Sequence, residues 1–384
     1  MLKRFGWVAL PRVLLMAINI IHTAPPQFLL PGGHTSVSYY PYSFLHCSYA
    51  DVVALYGARR LYLHNIPYFQ NVIEYPVLIG IYMSVMAYLP TFWGYFAGSD
   101  LGLLVAFLFT LYPLWKARGY KTALWLSFSP LLLVYSVLNW DILGILCWAW
   151  AVWMFEHERY RQAGIWIGIG IAVKFFPIVM VPYFGVWLWQ HQKKQLKPFL
   201  WGVLITGIGI NLPFALFAEE GWSEFFTYNS GRPPDPGIYQ WLMQIGWLHL
   251  SGVNLVSGVA TLVGGVVLLV LMIRYRWSPV GVVAAALAWW FLCNKVYSPQ
   301  YMLWVYTAVL WAGADGWLLL VLNFAGLVDF WLAMRWLALG TTGSPFLSRF
   351  VDTAVVPALS LRDLSLILAV LVTAVKMVRK RNTG

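Results

Sequence analysis

The residues of this chain that could do chemistry are concentrated in one stretch of 31 residues. Residues 46–76, "HCSYADVVALYGARRLYLHNIPYFQNVIEYP", contain Asp51, Glu74, Arg59, Arg60 and two histidines, in a protein that is only 10% charged. A positioned carboxylate can accept a proton from a reacting hydroxyl, and arginine can bind an anionic group. The alternative for Asp51 is a cap on a helix that begins directly after it. The residues by themselves leave both interpretations open.

The rest of the chain belongs to a membrane. Of its 384 residues 61% are hydrophobic, with 23 Trp, 22 Tyr and 23 Phe, and the mean hydropathy is +0.70. A soluble core cannot bury so much apolar surface, so we predict an all-α, polytopic membrane protein with one domain over residues 1–384. We expect about 11–13 transmembrane helices from apolar runs near residues 7–23, 76–97, 100–115, 123–138, 142–155, 163–190, 198–217, 252–273, 278–293, 301–313, 316–337 and 363–378. The 163–190 run is broken at "KFFP", which favours two short helices.

The net charge of +11 follows the membrane pattern rather than that of a nucleic-acid-binding protein. Basic clusters such as "KARGYK" (116–121) and "QKKQLK" (192–197) lie between apolar runs, as they do in cytoplasmic loops. We therefore predict no nucleic-acid partner and place residues 24–75, 218–250 and 293–300 on the outer face. The outer loops 24–75 and 218–250 collect aromatic residues, Pro and single charges of both signs, which is typical of a catalytic or binding face.

Two features of the first part of the chain leave alternatives. The N-terminal run favours an uncleaved transmembrane helix over a signal peptide, because no clear cleavage site follows it and Arg12 interrupts it. If the N-terminus and 116–121 are both inside, an even number of crossings must separate them, yet three apolar runs do so. Either 76–97 folds as a hairpin at Pro90, which adds a crossing, or one basic cluster departs from the charge rule.

Cysteine and histidine give no indication of a metal or a disulfide framework. The three cysteines, Cys47, Cys147 and Cys293, are far apart, and His46, His64 and His249 lack metal-ligand spacing. We expect no metal and no other cofactor; a divalent ion is compatible with the sequence but not indicated by it.

Four stretches carry a resemblance to a known family. They are "YADVVALYGARRLYLHNIPYFQNVIEYPVLIG" (49–80), "VLNWDILGI" (137–145), "GIAVKFFPIVMVP" (170–182) and "NKVYSPQYMLW" (294–304). In this order they resemble motifs of the polyprenyl-phosphate-mannose-dependent α-mannosyltransferases, glycosyltransferase family 87 of the GT-C superfamily. Two departures stand out: Ala50 replaces a serine of the family, and the loop 229–240 follows the family pattern only loosely.

The resemblance implies a reaction and a set of site residues. It implies an inverting transfer of a sugar, mannose above all, from a polyprenyl-phosphate donor to a lipid- or glycan-linked acceptor at the outer face of the cell membrane. Asp51 would be the general base, and one base suffices because the lipid phosphate is already a good leaving group. Lys295, Arg232 and Arg59 are the candidates for binding the donor phosphate; since Arg59 and Arg60 are adjacent, at most one of them faces the site. Acceptor binding or positioning is expected of Glu74, Tyr75, Asp141, Lys174, Asp235, Gln300 and Tyr301.

Several of these residues also have a purely structural interpretation. Lys295 could extend to the headgroups, while Glu74 and Asp141 could stabilise the first turn of a helix. Lys174 lies at membrane depth and must pair, either with a carboxylate or with a lipid phosphate. Asp329, inside an apolar run, is expected to pair with a neighbouring helix or to line the donor cavity, with a proton path as the alternative.

Two other classes of protein remain open at this stage. A transporter or flippase of lipid-linked or polar solutes would also be polytopic, but it often shows internal repeats and polar residues near mid-membrane. Here the polar residues gather at one face, which favours the enzyme. A scaffold of a cell-envelope complex is the third possibility, and the presence of Asp51 argues against it.

Overall fold

The computed structural model describes residues 2–23, 29–30, 34–35 and 39–382, and this part of the chain is almost entirely helical. Three segments of the first loop, 24–28, 31–33 and 36–38, lie outside the described residues. A two-residue antiparallel ladder joins β1 (Leu29–Leu30) to β2 (His34–Thr35). The helices are α1 (Leu2–Thr23), α2 (Tyr39–Leu45), α3 (Asp51–Ala58), α4 (Val77–Ala87), α5 (Phe92–Ser127), α6 (Pro130–Tyr135), α7 (Asp141–Glu156), α8 (Tyr160–Val173), α9 (Met180–His191), α10 (Lys193–Phe217), α11 (Glu219–Gly231), α12 (Ile238–Gln244), α13 (Leu250–Tyr275), α14 (Pro279–Cys293), α15 (Tyr301–Trp311), α16 (Gly316–Thr342) and α17 (Pro345–Asn382).

The predicted fold class is confirmed. Six of the described helices are long and apolar enough to cross a membrane, namely α1, α5, α10, α13, α16 and α17. Most of the other apolar runs form helices of 11 to 16 residues, such as α4, α7 and α15, and the run 123–138 forms the end of α5 and the short α6. Length and composition therefore assign six spans where the runs predicted 11–13. A buried helix needs no full membrane length when its neighbours, rather than lipid, cover it.

Prolines set where two of the predicted runs break. The 76–97 run divides near Pro90: α4 ends at Ala87, and α5 begins at Phe92 after Thr91, whose hydroxyl accepts a hydrogen bond from the Gly94 amide at 3.0 Å. The 163–190 run divides as predicted, with α8 and α9 separated by a 3₁₀ turn over 176–179. This second break places Lys174 in extended backbone.

Three of the basic clusters, in residues 2–4, 116–121 and 157–161, lie at one end of the bundle, here called the basic end. Phe5 in α1 packs against Trp115 with ring centroids 5.5 Å apart, and Arg118 forms an ion pair with Glu156. The start of α1, residues 116–121 and the end of α7 therefore lie together. Between the N-terminus and residue 121, α1 and α5 are the described helices of spanning length, since α4 is only about 16 Å long. An even number of spans agrees with this arrangement.

The charge inside α1 is buried in the bundle. Arg12 is fully buried, donates a hydrogen bond from Nη1 to the Leu132 carbonyl at 3.0 Å, and lies over the Phe107 ring at 5.3 Å. The arginine that interrupts the first apolar run thus ties α1 to α5 and α6.

Helices α8 and α10 approach closely because glycines line their interface. A Cβ on Gly168 would lie 2.6 Å from the Val203 carbonyl oxygen, and one on Gly164 would collide with the Phe199 carbonyl. Small residues spaced four apart let two membrane helices bring their backbones together, where close packing replaces the hydrophobic driving force. This contact holds α8 rigidly, and Lys174 follows directly after it.

Candidate functional site

A cavity of about 720 Å³ lies at the end of the bundle opposite the basic end. Helix α7 shows the separation, since it runs about 23 Å from Asp141, behind the cavity wall, to Glu156 at the basic end. The cavity is lined by nine of the eleven residues predicted for the site: Asp51, Glu74, Tyr75, Lys174, Arg232, Asp235, Lys295, Gln300 and Tyr301. Arg59 and Asp141 are outside its lining.

Asp51 is the first residue of α3, and it is held by three hydrogen bonds. Its amide donates to the Leu138 carbonyl at 2.6 Å, which fixes the start of the helix. Its carboxylate accepts from the hydroxyls of Tyr49 at 2.8 Å and Tyr75 at 2.9 Å. The helix has Ala50 as its N-cap, with no side-chain cap hydrogen bond. The carboxylate is therefore directed to the tyrosines and the cavity rather than to the helix end.

The surroundings of Asp51 make it a stronger base than a surface carboxylate. Burial raises its pKa above the ordinary value of 3.8, while the hydrogen bonds from Tyr49 and Tyr75 and the charge of Lys174 lower it in part. The net direction is upward. A raised pKa increases the affinity of the carboxylate for a proton, and the two tyrosines fix the position from which it would accept one.

Behind Asp51 lies a buried ion pair. The Lys174 ammonium is 3.1 Å from Oδ1 of Asp141 and 4.9 Å from the centre of the Tyr75 ring. The indole of Trp304 donates to the same Oδ1 at 3.0 Å. A membrane-depth lysine must pair, and the partner here is a carboxylate. Asp141, Lys174 and Tyr75 thus form a supporting layer that ends at the carboxylate of Asp51.

Glu74 pairs with Arg59 at the entrance of α4. Nε of Arg59 donates to Oε2 at 2.8 Å and Nη2 donates to Oε1 at 2.7 Å, a bidentate geometry. Glu74 lines the cavity and Arg59 does not. The guanidinium predicted to bind phosphate is therefore engaged by a carboxylate and set back from the cavity.

Lys295 organises the loop that closes one side of the cavity. Its ammonium donates to the carbonyl of Ser230 at 2.7 Å and to that of Arg232 at 2.6 Å. Arg232 is 3.4 Å from Asp235, whose other oxygen accepts from the Tyr297 amide at 2.9 Å. Lys295 is 9% exposed, so it points inward rather than to the headgroups. Burial, then the charge of Arg232, lowers its pKa.

Helices α16 and α17 contribute two charged residues that were not among the predicted site residues. Arg362 lies 3.6 Å from Oδ1 of Asp329, and it donates from Nε to Asp363 at 2.9 Å. Its guanidinium covers the Tyr297 ring at 4.5 Å. The pairing expected of Asp329 is thus found, and both Asp329 and Arg362 line the cavity. Arg362 was missed because the apolar run was placed at 363–378, whereas α17 already begins at Pro345.

The cavity wall combines charged and polar side chains with an apolar set. An aromatic group borders the polar part, with Phe175 about 6.3 Å from Phe225 and 6.4 Å from Trp290 between ring centroids. The apolar part is formed by Phe330, Leu332, Ala333, Met334, Trp336, Leu337 and Leu359. A cavity with these two parts suits a ligand that is polar at one end and apolar at the other.

The fold and the cavity define a multi-pass helical membrane protein with a carboxylate held in an interior site. The model of glycosyltransferase family 87 matches residues 74–299, more than half of the chain, and the protein belongs to this family of membrane glycosyltransferases. No curated protein matches the chain. Glu74, Lys174 and Lys295 fall inside the matched segment, whereas Asp51 precedes it and Arg362 follows it. Family membership favours the enzyme over a transporter or scaffold.

Proposed function

We propose that this glycosyltransferase moves a sugar, most simply mannose, from a polyprenyl-phosphate donor to a hydroxyl of a lipid- or glycan-linked acceptor. Asp51 acts as the general base, and the transfer inverts the anomeric centre. The observation that carries the proposal is the Asp51 carboxylate, which is fixed by Tyr49 and Tyr75 in the wall of a cavity with a polar and an apolar part. The amphipathic cavity fits a lipid-linked sugar better than a soluble nucleotide sugar.

The reaction needs one proton acceptor and one stabiliser of negative charge. As the acceptor oxygen forms its bond to the anomeric carbon, Asp51 takes the hydroxyl proton. The bond from the anomeric carbon to the phosphate oxygen breaks on the opposite face, and the electron pair leaves with the lipid phosphate. Positive charge aimed at this oxygen lowers the barrier, because charge on the leaving phosphate grows in the transition state.

Lys295 and Arg232 are the cations best placed to meet that phosphate. Both line the cavity, and Lys295 has no carboxylate within 4 Å among the described residues. Its two hydrogen bonds to the loop carbonyls leave one ammonium proton for a ligand. Arg59 is a poorer candidate, because it is paired with Glu74 through Nε and Nη2 and does not line the cavity.

The proposed site faces the outer side of the cell membrane. The cavity and the basic end lie at opposite ends of the bundle, and basic clusters are retained on the cytoplasmic side of bacterial and other membranes. Acceptors on the outer side would then reach Asp51 from water, while the donor lipid would reach the apolar part of the cavity from the bilayer.

The test is transfer by purified protein in lipid nanodiscs. Labelled farnesyl- or decaprenyl-phosphoryl mannose is supplied with an extract of membrane lipids and glycans, and the labelled product is counted. Asp51→Asn is nearly isosteric, and we expect it to lower the rate by about 10²–10⁴-fold. Asp352→Asn, an exposed carboxylate of α17 outside the cavity lining, serves as control and keeps full activity. Turnover of Asp51→Asn within about threefold of the parent would remove the base from the mechanism.

The phosphate assignment has its own variants. Lys295→Met is expected to lower kcat and to weaken the donor, and Lys295→Arg to recover part of the loss because charge is kept while geometry changes. Steady-state rates are measured with varied donor at saturating acceptor. Unchanged donor parameters in Lys295→Met would leave Lys295 as a loop-holding residue and move the phosphate to Arg232.

A further inference from the structure

The junction of α16, α17 and the 294–300 loop contains a mixed-charge cluster that the proposed mechanism does not use. The cluster consists of Asp329, Tyr297 and Arg362. Nη1 of Arg362 is 3.6 Å from Oδ1 of Asp329, and its guanidinium carbon is 4.5 Å from the centre of the Tyr297 ring. All three line the cavity, and Asp329 and Tyr297 are only 3% and 7% exposed. This cluster is therefore part of the cavity wall and not of the protein surface.

Two polar atoms of the cluster lack partners. Among the described residues, Oδ2 of Asp329 and the hydroxyl of Tyr297 are buried without a hydrogen bond. Buried polar groups are nearly always satisfied, because an unmade hydrogen bond costs the full desolvation of the group. Because Asp329 and Tyr297 line the cavity, these two atoms are the groups of the cluster that a ligand could complete.

A ligand suited to this cluster must donate as well as accept hydrogen bonds. A carboxylate oxygen requires a donor, while Arg362 and a tyrosine hydroxyl require or tolerate an acceptor. A phosphate diester carries no proton to donate to Asp329, and an ammonium group has no lone pair for Arg362. Hydroxyl groups on adjacent sugar carbons supply both functions at once.

The charge balance of the cluster also disfavours phosphate. Arg362 faces two carboxylates, Asp329 at 3.6 Å and Asp363 at 2.9 Å, so its positive charge is more than offset. Tyr297 stays neutral, since burial and then the charge of Asp329 raise its pKa well above the ordinary value. A neutral ligand rich in hydroxyls meets no electrostatic penalty in such surroundings.

We propose that Asp329, Tyr297 and Arg362 form a saccharide-binding subsite that hydrogen-bonds sugar hydroxyls, with the donor phosphate bound elsewhere in the cavity. The subsite deepens the proposed function and rests on it. Its ligand is either the sugar of the donor or a sugar unit of the acceptor, which share this chemistry.

Conservative variants isolate the two unpartnered atoms. Tyr297→Phe removes a hydroxyl that bonds to nothing in the folded protein, so a purely structural role predicts no loss of stability or binding. Asp329→Asn keeps the volume and one acceptor oxygen but removes the charge. Tyr95→Phe is the matched control, since Tyr95 is a buried tyrosine of α5 outside the cavity lining. Thermal unfolding in nanodiscs verifies that each variant is folded.

Direct binding of three probes separates sugar from phosphate. Farnesyl phosphate has lipid and phosphate without sugar, methyl α-mannoside has sugar alone, and farnesyl-phosphoryl mannose has all three. We expect Tyr297→Phe and Asp329→Asn to raise the Kd of the two sugar ligands at least about tenfold and that of farnesyl phosphate by less than about twofold. Competition of methyl α-mannoside with farnesyl-phosphoryl mannose assigns the donor sugar, and simultaneous binding assigns the acceptor sugar. Both results support the subsite.

Other results overturn it. Equal weakening of farnesyl phosphate in both variants would make the cluster a phosphate site. If the parent does not bind the mannosyl probes, methyl glycosides of glucose, galactose, N-acetylglucosamine and arabinose are tested, and the absence of any glycoside whose binding depends on Tyr297 refutes the subsite. The transfer assay is scored separately: a parent that binds a sugar through Tyr297 but transfers none contradicts the proposed function and leaves the subsite standing.

Discussion

The buried ion pair between Lys174 and Asp141 allows the structure to be tested by a double-variant cycle. Their charged atoms are 3.1 Å apart, and the side chains are only 10% and 1% exposed. Oδ1 of Asp141 also accepts from Trp304 at 3.0 Å, whereas Oδ2 has no partner among the described residues. The pair is therefore a site where the loss of either charge leaves the other buried and poorly compensated.

The expected magnitudes follow from that geometry. Lys174→Met leaves an unpaired buried carboxylate, and Asp141→Asn leaves an unpaired ammonium with only the Tyr75 ring beneath it; each should lower the free energy of unfolding by about 3–5 kcal/mol. The double variant has no buried charge at this position, and Asn keeps an acceptor for Trp304. We expect the double variant to lose less than about 2 kcal/mol of its free energy of unfolding, so the effects of the two substitutions are strongly non-additive.

Stability and catalysis should respond differently to the cycle. The charge of Lys174 lowers the pKa of Asp51, so removal of Lys174 raises that pKa further. The acid limb of the pH–rate profile should then move to higher pH in Lys174→Met and in the double variant, even though the double variant recovers stability. Unfolding in mixed micelles with increasing dodecyl sulfate measures the free energy of unfolding of each variant. The rate of sugar transfer from pH 4 to 9 measures the position of the acid limb. Single variants that cost under about 1 kcal/mol, or a limb that stays in place, would refute the reasoning.

Three further predictions concern the base, the helix packing and the topology. Because burial raises the pKa of Asp51, transfer should decline as pH falls through a midpoint above about 4, the ordinary value for an aspartate; a midpoint at or below that value contradicts the assignment. Gly168→Leu should lower the free energy of unfolding by about 1–3 kcal/mol because its side chain meets the α10 backbone, whereas Gly209→Leu, with open space around it, should change stability by less than about 0.5 kcal/mol; equal effects would exclude close packing as the cause. In a Cys47→Ser background, a membrane-impermeant thiol reagent added outside cells should label Thr227→Cys and spare Gln195→Cys, and the opposite pattern would invert the topology.

The class of the protein was predictable because hydropathy depends on composition and local order. Long apolar runs require lipid or a helical bundle, and proline predicted the break at "KFFP" that the structure has. The number of spans was not predictable in the same way. Whether an 11-residue run such as α4 ends inside a bundle depends on which neighbours cover its ends, and hydropathy carries no information on those neighbours.

The sequence also predicted that the candidate site residues lie on one face, but it did not predict which ion pairs and hydrogen bonds they form. Charged residues on loops at one face of a membrane bundle are brought near one another by the fold, and Asp51, Lys174 and Lys295 line one cavity. Which charges remain open to a ligand depends on distances of a few ångströms. Arg59 is paired with Glu74, 15 residues after it in the chain, and Lys174 is paired with Asp141, 33 residues before it.

The sequence by itself determined a helical membrane protein whose candidate site residues gather at one end. Hydropathy and charge act through local composition and through the cost of placing ions in lipid. Only the tertiary structure decided that Arg362 and Asp329 face the same cavity as Asp51. They come from α17 and α16, which places them 311 and 278 residues after Asp51 in the chain. Their rotation about the helix axes is set by packing against the whole bundle, and no local pattern in the sequence specifies that rotation.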